Sequence, residues 1–180
     1  GVVNNDVRAK IQGYITEVYV DEGQYVQAGQ PLFKLETNVL TQNADALKSG
    51  VGAAQASVKA AQANVSASQA AVNAAQVEVN KLTPLVQKNI ISNVQLETAK
   101  ANLARTQAGY NQALAALSQA QAGVSQAQAS YKGAQANVDY SVVRAPVSGV
   151  VGAINFRQGT LVGPGDPKPI SVVSNTSRVY

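Results

Sequence analysis

The two ends of this chain carry one pattern twice, and that repeat limits the fold more than any other feature. Gly13, Gly23 and Gly29 are separated by 10 and then 6 positions; Gly149, Gly159 and Gly165 have the same spacing, 136 residues later. At that one offset Arg8 meets Arg144, Ala9 meets Ala145, Ile15 meets Val151, Val26 meets Val162 and Pro31 meets Pro167. Val18 meets Ile154 and Val20 meets Phe156 in the same register. Repeats are read first because they define the folding unit.

Both copies read as β. Ile11–Val20 and Val150–Phe156 place apolar residues at short, mostly alternating intervals between glycines. Asp21-Glu22-Gly23 and Arg157-Gln158-Gly159 have turn chemistry, with glycine available for a positive φ. A β-segment of this length has an apolar face and nothing of its own to cover it. The halves, residues 7–38 and 141–175, are therefore expected to pack on each other as one β-sandwich.

The interior, residues 39–140, changes character: 26 of its 102 residues are Ala and 14 are Gln. Both are good helix formers. Val51, Val58, Val65, Val72, Val79 and Val86 recur every seven residues, as do Leu96, Leu103, Tyr110, Leu117, Val124, Tyr131 and Val138. Three positions after most of them stands a small residue, such as Ala54, Ala61, Ala75, Ala99, Ala113 or Ala134. A large/small seam sustained over this many heptads predicts a coiled coil. The phase breaks between Val86 and Leu96. There Ser92-Asn93-Val94-Gln95 reads as a capping box, and Ile91 with Leu96 as its hydrophobic staple. Helix one is expected over about 39–89 and helix two over about 92–140. Equal antiparallel arms return the chain to its starting place, as a shared β-core requires. Pro84 removes the bond to Asn80 and predicts a kink or a loosened last turn.

Several chemistries are excluded by composition. The chain has no His, Cys, Met or Trp, so His-based triads, thiol nucleophiles, zinc fingers and disulfide scaffolds lack their residues. A net charge of +4 without a Lys/Arg cluster interleaved with aromatics gives no nucleic-acid signature. No apolar run reaches the roughly 18 residues of a membrane span. Asp21 and Glu22 are adjacent acids in a turn, and no glycine loop fits a phosphate. The reading predicts no enzyme, no cofactor and no metal.

The string Gly13-x-Ile-x-x-Val-x-Val-x-x-Gly23-x-x-Val-x-x-Gly29-Gln-Pro-Leu-Phe-x-Leu35, its echo Arg144-Ala-Pro-x-Ser-Gly149, and the hairpin between them resemble the periplasmic adaptor family. These are the membrane fusion proteins of tripartite efflux pumps and type I secretion systems. The resemblance covers nearly the whole chain. It implies an α+β fold: a split lipoyl-like barrel-sandwich hybrid β-domain with an inserted long antiparallel α-helical coiled-coil hairpin. It also implies a homo-oligomeric ring in the periplasm, attached to the inner membrane through an anchor absent from this stretch. The partners it implies are a TolC-like outer-membrane channel and an inner-membrane transporter, which the tip spacing below favours as resistance-nodulation-division type over the ABC and major-facilitator alternatives. A further β-barrel is expected to begin at residues 176–180. The family's tip signature, Arg-x3-Leu-x6-Ser, falls on Lys81, Leu85 and Ser92, with Lys in place of Arg at the first position. Lys keeps the charge and loses the bidentate fork.

Each residue also has a plainer role. Leu85 can pack at the end of a coiled coil, Ser92 can act as an N-cap, and Lys81 can be a solvated charge. The Gln residues flanking the seam (Gln55, Gln62, Gln69 and Gln76; Gln107, Gln121, Gln128 and Gln135) read as ordinary helix surface, or as bonds to neighbouring hairpins. The competing function is a lipoyl or biotin carrier, which needs a Lys on an exposed turn between the halves. Lys34 lies in a strand-like run and Lys48 beyond it. A structural coiled-coil spacer explains the middle and ignores the repeated ends.

Overall fold

The computed structural model describes residues 2–176, in two compact units. Of the β-barrel start expected at residues 176–180, all but Thr176 lie outside the described residues. The first unit joins residues 1–47 to 131–180; the second is residues 48–130.

The first unit holds eight strands: β1 (Val2–Val7), β2 (Gly13–Val18), β3 (Tyr25–Val26), β4 (Pro31–Leu35), β5 (Val142–Arg144), β6 (Gly149–Val151), β7 (Leu161–Val162) and β8 (Ser171–Thr176). They form two four-stranded sheets, ordered β1-β8-β6-β3 and β5-β4-β2-β7, with every pairing antiparallel. Carrying the first order through the 136-residue repeat produces the second. Each half keeps its own central pair, β2·β4 or β6·β8, and lends its two outer strands to the other sheet. The halves share one β-body as expected, and they do so by strand exchange, interleaving within both sheets. The physical reason is strand length. Runs of two to six residues make too small a sheet alone, and exchange gives each central pair a neighbour on both sides.

The repeat extends to individual hydrogen bonds. The Gly23 amide donates to the Val151 carbonyl at 2.7 Å, and the Gly159 amide to Ile15 at 2.7 Å. Val151 donates to Gln24 and Ile15 to Thr160, both at 2.9 Å. Gly23 and Gly159 sit at φ +82° and +89°, the left-handed region that glycine enters without penalty. The core repeats too: Val7 with Val143, Ala9 with Ala145, Ile15 with Val151 and Val26 with Val162 are all buried in one cluster. Leu32, Phe33 and Leu35 of β4 fill its centre with no exposed area. Burying side chains of this kind contributes roughly 1.5–3 kcal/mol each.

Two helices complete the chain, α1 (Asn38–Gln87) and α2 (Asn93–Tyr140). Their roots belong to the first unit, where Ala44 and Ala134 are buried. In the second unit, each large heptad position from Val51 to Val86 on α1, and from Leu96 to Val124 on α2, is buried or half-buried. Val79, Leu96 and Ala99 form a small core there, packed by Leu82, Val86 and Leu103. The helix runs through Pro84 for three more residues, and the Lys88 amide still reaches the Pro84 carbonyl at 3.0 Å. Among the described residues no helix is long and apolar enough to cross a membrane.

Candidate functional site: the hairpin turn

The turn between α1 and α2 is built by two opposed caps. At the end of α1, Asn89 takes φ +60°. The Ile90 amide then donates to the Leu85 carbonyl at 2.8 Å, and the Asn89 amide to Val86 at 3.0 Å. These are the two bonds of a Schellman motif, with Asn in the position glycine more often takes. Three residues later the Ser92 hydroxyl accepts from the Val94 amide at 3.2 Å and starts α2. Among the described residues the Gln95 side chain makes no bond back to Ser92, and the Ser92 hydroxyl meets the Val94 amide rather than that of Gln95, so Ser92 caps the helix without the reciprocal box. The Gln95 backbone amide donates instead to the Ser92 carbonyl at 3.3 Å.

All three signature positions fall at this turn. Lys81 and Leu85 are one turn apart on the same face of α1. Ser92 is the N-cap of α2 and is exposed. Leu85 is half-buried, and its carbonyl is the acceptor that closes the helix. The Lys81 ammonium is exposed and lies 4.0 Å from Glu78. An exposed pair of that kind contributes about 0–1 kcal/mol. The turn also presents two apolar side chains to solvent, Ile90 at 63% exposure and Val94 at 70%. Neither belongs to the signature. Val94 and Leu82 line a shallow groove with Glu78, Thr98, Asn102 and Arg105.

Three of the eight seam-flanking glutamines have partners within their own helix. Gln69 donates to Asn73 at 3.0 Å, Gln76 to Asn80 at 2.9 Å and Gln107 to Asn111 at 3.5 Å, each one turn along the same helix. The recurring Gln-x3-Asn spacing carried that signal in the sequence.

The β-unit has a second exposed feature, repeated like its core. Tyr14 stands opposite Leu161, and Tyr25 opposite Val150, as cross-strand pairs on different sheets. All four are exposed, and the offset of 136 carries Tyr14 to Val150 and Tyr25 to Leu161. Lys34 is not on a turn. It lies inside β4, paired with Glu17 on one side and Val142 on the other. Among the described residues no group of three or more Asp or Glu gathers to hold a metal. Tyr19 donates to the Glu17 carboxylate, and that bond raises its phenol above the ordinary value of 10.0.

A hybrid of two strand-exchanged β-halves interrupted by a capped helical hairpin defines the membrane fusion class of adaptor. The chain belongs to the RND membrane fusion protein family: residues 4–174 match the model of its barrel-sandwich hybrid domain. It is 30% identical to the membrane fusion protein MtrC of Neisseria gonorrhoeae over 97% of its own length and 36% of that protein. It is similar to the crystal structure of MacA from Actinobacillus actinomycetemcomitans, with a TM-score of 0.56 and 26% identity, over 93% of this chain and 48% of that one. The soluble domain of LipC, a membrane fusion protein of a type I secretion system, shares the fold at a TM-score of 0.54 and 14% identity, over 97% of this chain and 100% of that one. The chain therefore spans about a third of MtrC and half of MacA.

Proposed function

We propose that this chain is the hybrid-and-hairpin segment of a periplasmic adaptor in a tripartite efflux pump, and that it performs no catalysis. The adaptor links an inner-membrane transporter of resistance-nodulation-division type to a TolC-like outer-membrane channel. Docking on the channel runs through Lys81, Leu85 and Ser92. The observation that carries this reading is the turn itself: two caps, one closing on the Leu85 carbonyl and one on the Ser92 hydroxyl, end the hairpin beside exposed Ile90 and Val94, with Lys81 one helical turn before Leu85. A helix of 50 residues is about 75 Å long, a length suited to reaching across a periplasmic gap. The reading includes attachment of the adaptor to the inner membrane. Neighbouring copies meet at the Tyr14–Leu161 and Tyr25–Val150 pairs, which give the β-unit two equivalent patches, one for each neighbour in a ring.

The test is export by the full-length adaptor carrying Leu85→Asp, in a strain that lacks the native copy. The reading expects export to fall to the level of the empty strain, with helicity and abundance unchanged. Normal export in that variant contradicts it.

A further inference from the structure

The charge of this chain is segregated. Between Lys48 and Ser130 stand six cations (Lys48, Lys59, Lys81, Lys88, Lys100 and Arg105) against two acids, Glu78 and Glu97. That is a net +4, equal to the net charge of the whole chain; the remaining residues balance. Both acids of this stretch are already paired, Glu78 with Lys81 at 4.0 Å and Glu97 with Lys100 at 3.8 Å. The signature's own cation therefore has its charge offset locally. Lys88 does not: among the described residues no carboxylate lies within salt-bridge distance of it, and it is exposed. Its amide still follows the helix, bonded to Pro84. Lys81, Leu85 and Lys88 thus stand at i, i+4 and i+7, one stripe leading into the Asn89 turn.

We propose that Lys88 is a further docking residue of the hairpin turn and that it receives a carboxylate of an acidic protein surface on the partner channel. Leu85 supplies the apolar contact between two cations, and Lys88 supplies the charge that Lys81 shares with Glu78. This rests on the docking reading above and adds to it the chemistry of the surface met. Lys88 also complements the C-terminal end of the α1 dipole, so the test must separate binding from helix stability.

The experiment measures association of the full-length adaptor with a purified TolC-like channel, across a range of salt. Four variants are compared with the parent: Lys88→Glu, Lys88→Arg, Lys59→Glu and Leu85→Asp. Lys59→Glu makes the same change of charge away from the turn. Lys88→Glu is expected to weaken association about tenfold or more at low salt and to flatten its salt dependence. Lys88→Arg restores both. Lys59→Glu stays within about twofold, because it lies roughly 40 Å along the helix from Lys88, beyond even the roughly 30 Å screening length of 0.01 M salt. Equal losses in Lys88→Glu and Lys59→Glu, or no loss in either, overturn the proposal. Binding to phosphatidylglycerol vesicles that both Lys→Glu changes abolish, with channel association intact, assigns the charge to lipid and overturns it as well. In those cases a loss in Leu85→Asp leaves the docking reading standing. Parent-like binding by Leu85→Asp defeats that reading and this proposal together.

Discussion

The Ile90 amide donates to the Leu85 carbonyl at 2.8 Å, so the residue we propose for docking also ends its own helix. Side chain and main chain of Leu85 are separable. A substitution at residue 85 keeps the carbonyl and changes only what the turn presents. The neighbouring Asn89 holds the geometry, and changes there act on shape before chemistry.

Asn89 adopts φ +60°, a conformation that costs roughly 1–2 kcal/mol for most side chains and little for Gly. Asn89→Gly should leave the hairpin as stable or slightly more so. Asn89→Val, β-branched, should destabilise it by about 1–2 kcal/mol. Thermal unfolding followed by far-ultraviolet circular dichroism reads both.

Ser92→Ala removes the bond to the Val94 amide and should cost about 1 kcal/mol of hairpin stability. Ser92→Asp keeps an acceptor there and should restore the unfolding midpoint. If the hydroxyl also meets the channel, Ser92→Asp restores stability and not export. Parallel melting and export assays separate the two roles.

In the β-unit, a Cβ at Gly149 would lie 2.2 Å from the Ser174 carbonyl oxygen, whereas at Gly13 it would meet the Leu35 side chain at 3.3 Å. Gly149→Ala should therefore force β6 off β8, at about 3 kcal/mol or more, and Gly13→Ala should cost distinctly less. Denaturant titration of the two variants checks the order.

Ala75 lies 4% exposed in the helix seam. Ala75→Leu should overpack it and cost about 1–3 kcal/mol, while Leu96→Ala, in the small core near the turn, should cost about 2–5 kcal/mol. Both are read by the hairpin's unfolding midpoint.

Much of this architecture is legible in the sequence because its determinants are periodic. The heptads from Val51 to Val86 and from Leu96 to Val138 name the buried seam residue by residue, since helix burial follows from spacing alone. The offset of 136 names the paired core residues for the same reason. Strand exchange was not legible. Alternation says which face of β3 or β7 is apolar and nothing about which strand lies beside it, and a two-residue strand such as Tyr25–Val26 carries almost no pattern. The Schellman end at Asn89 was half-legible: the heptad break located it, but Asn marks a left-handed residue less clearly than Gly. The missing Gln95 bond shows that a capping motif states what a side chain can do, and the structure decides which bonds form. The free charge at Lys88 was invisible until its neighbours' partners were known.

The docking claim is tested most directly by cross-linking in cells. These 180 residues contain no cysteine, and any cysteine elsewhere in the full-length adaptor is replaced by serine so that each introduced thiol is unique. Cysteines at Leu85 and Ser92 are compared with cysteines at Lys48 and Lys132, exposed positions far along the helices from the turn, in a strain carrying the TolC-like channel. The account predicts channel adducts from residues 85 and 92 and none from 48 and 132. Adducts from 48 and 132, with none from the turn, would contradict it.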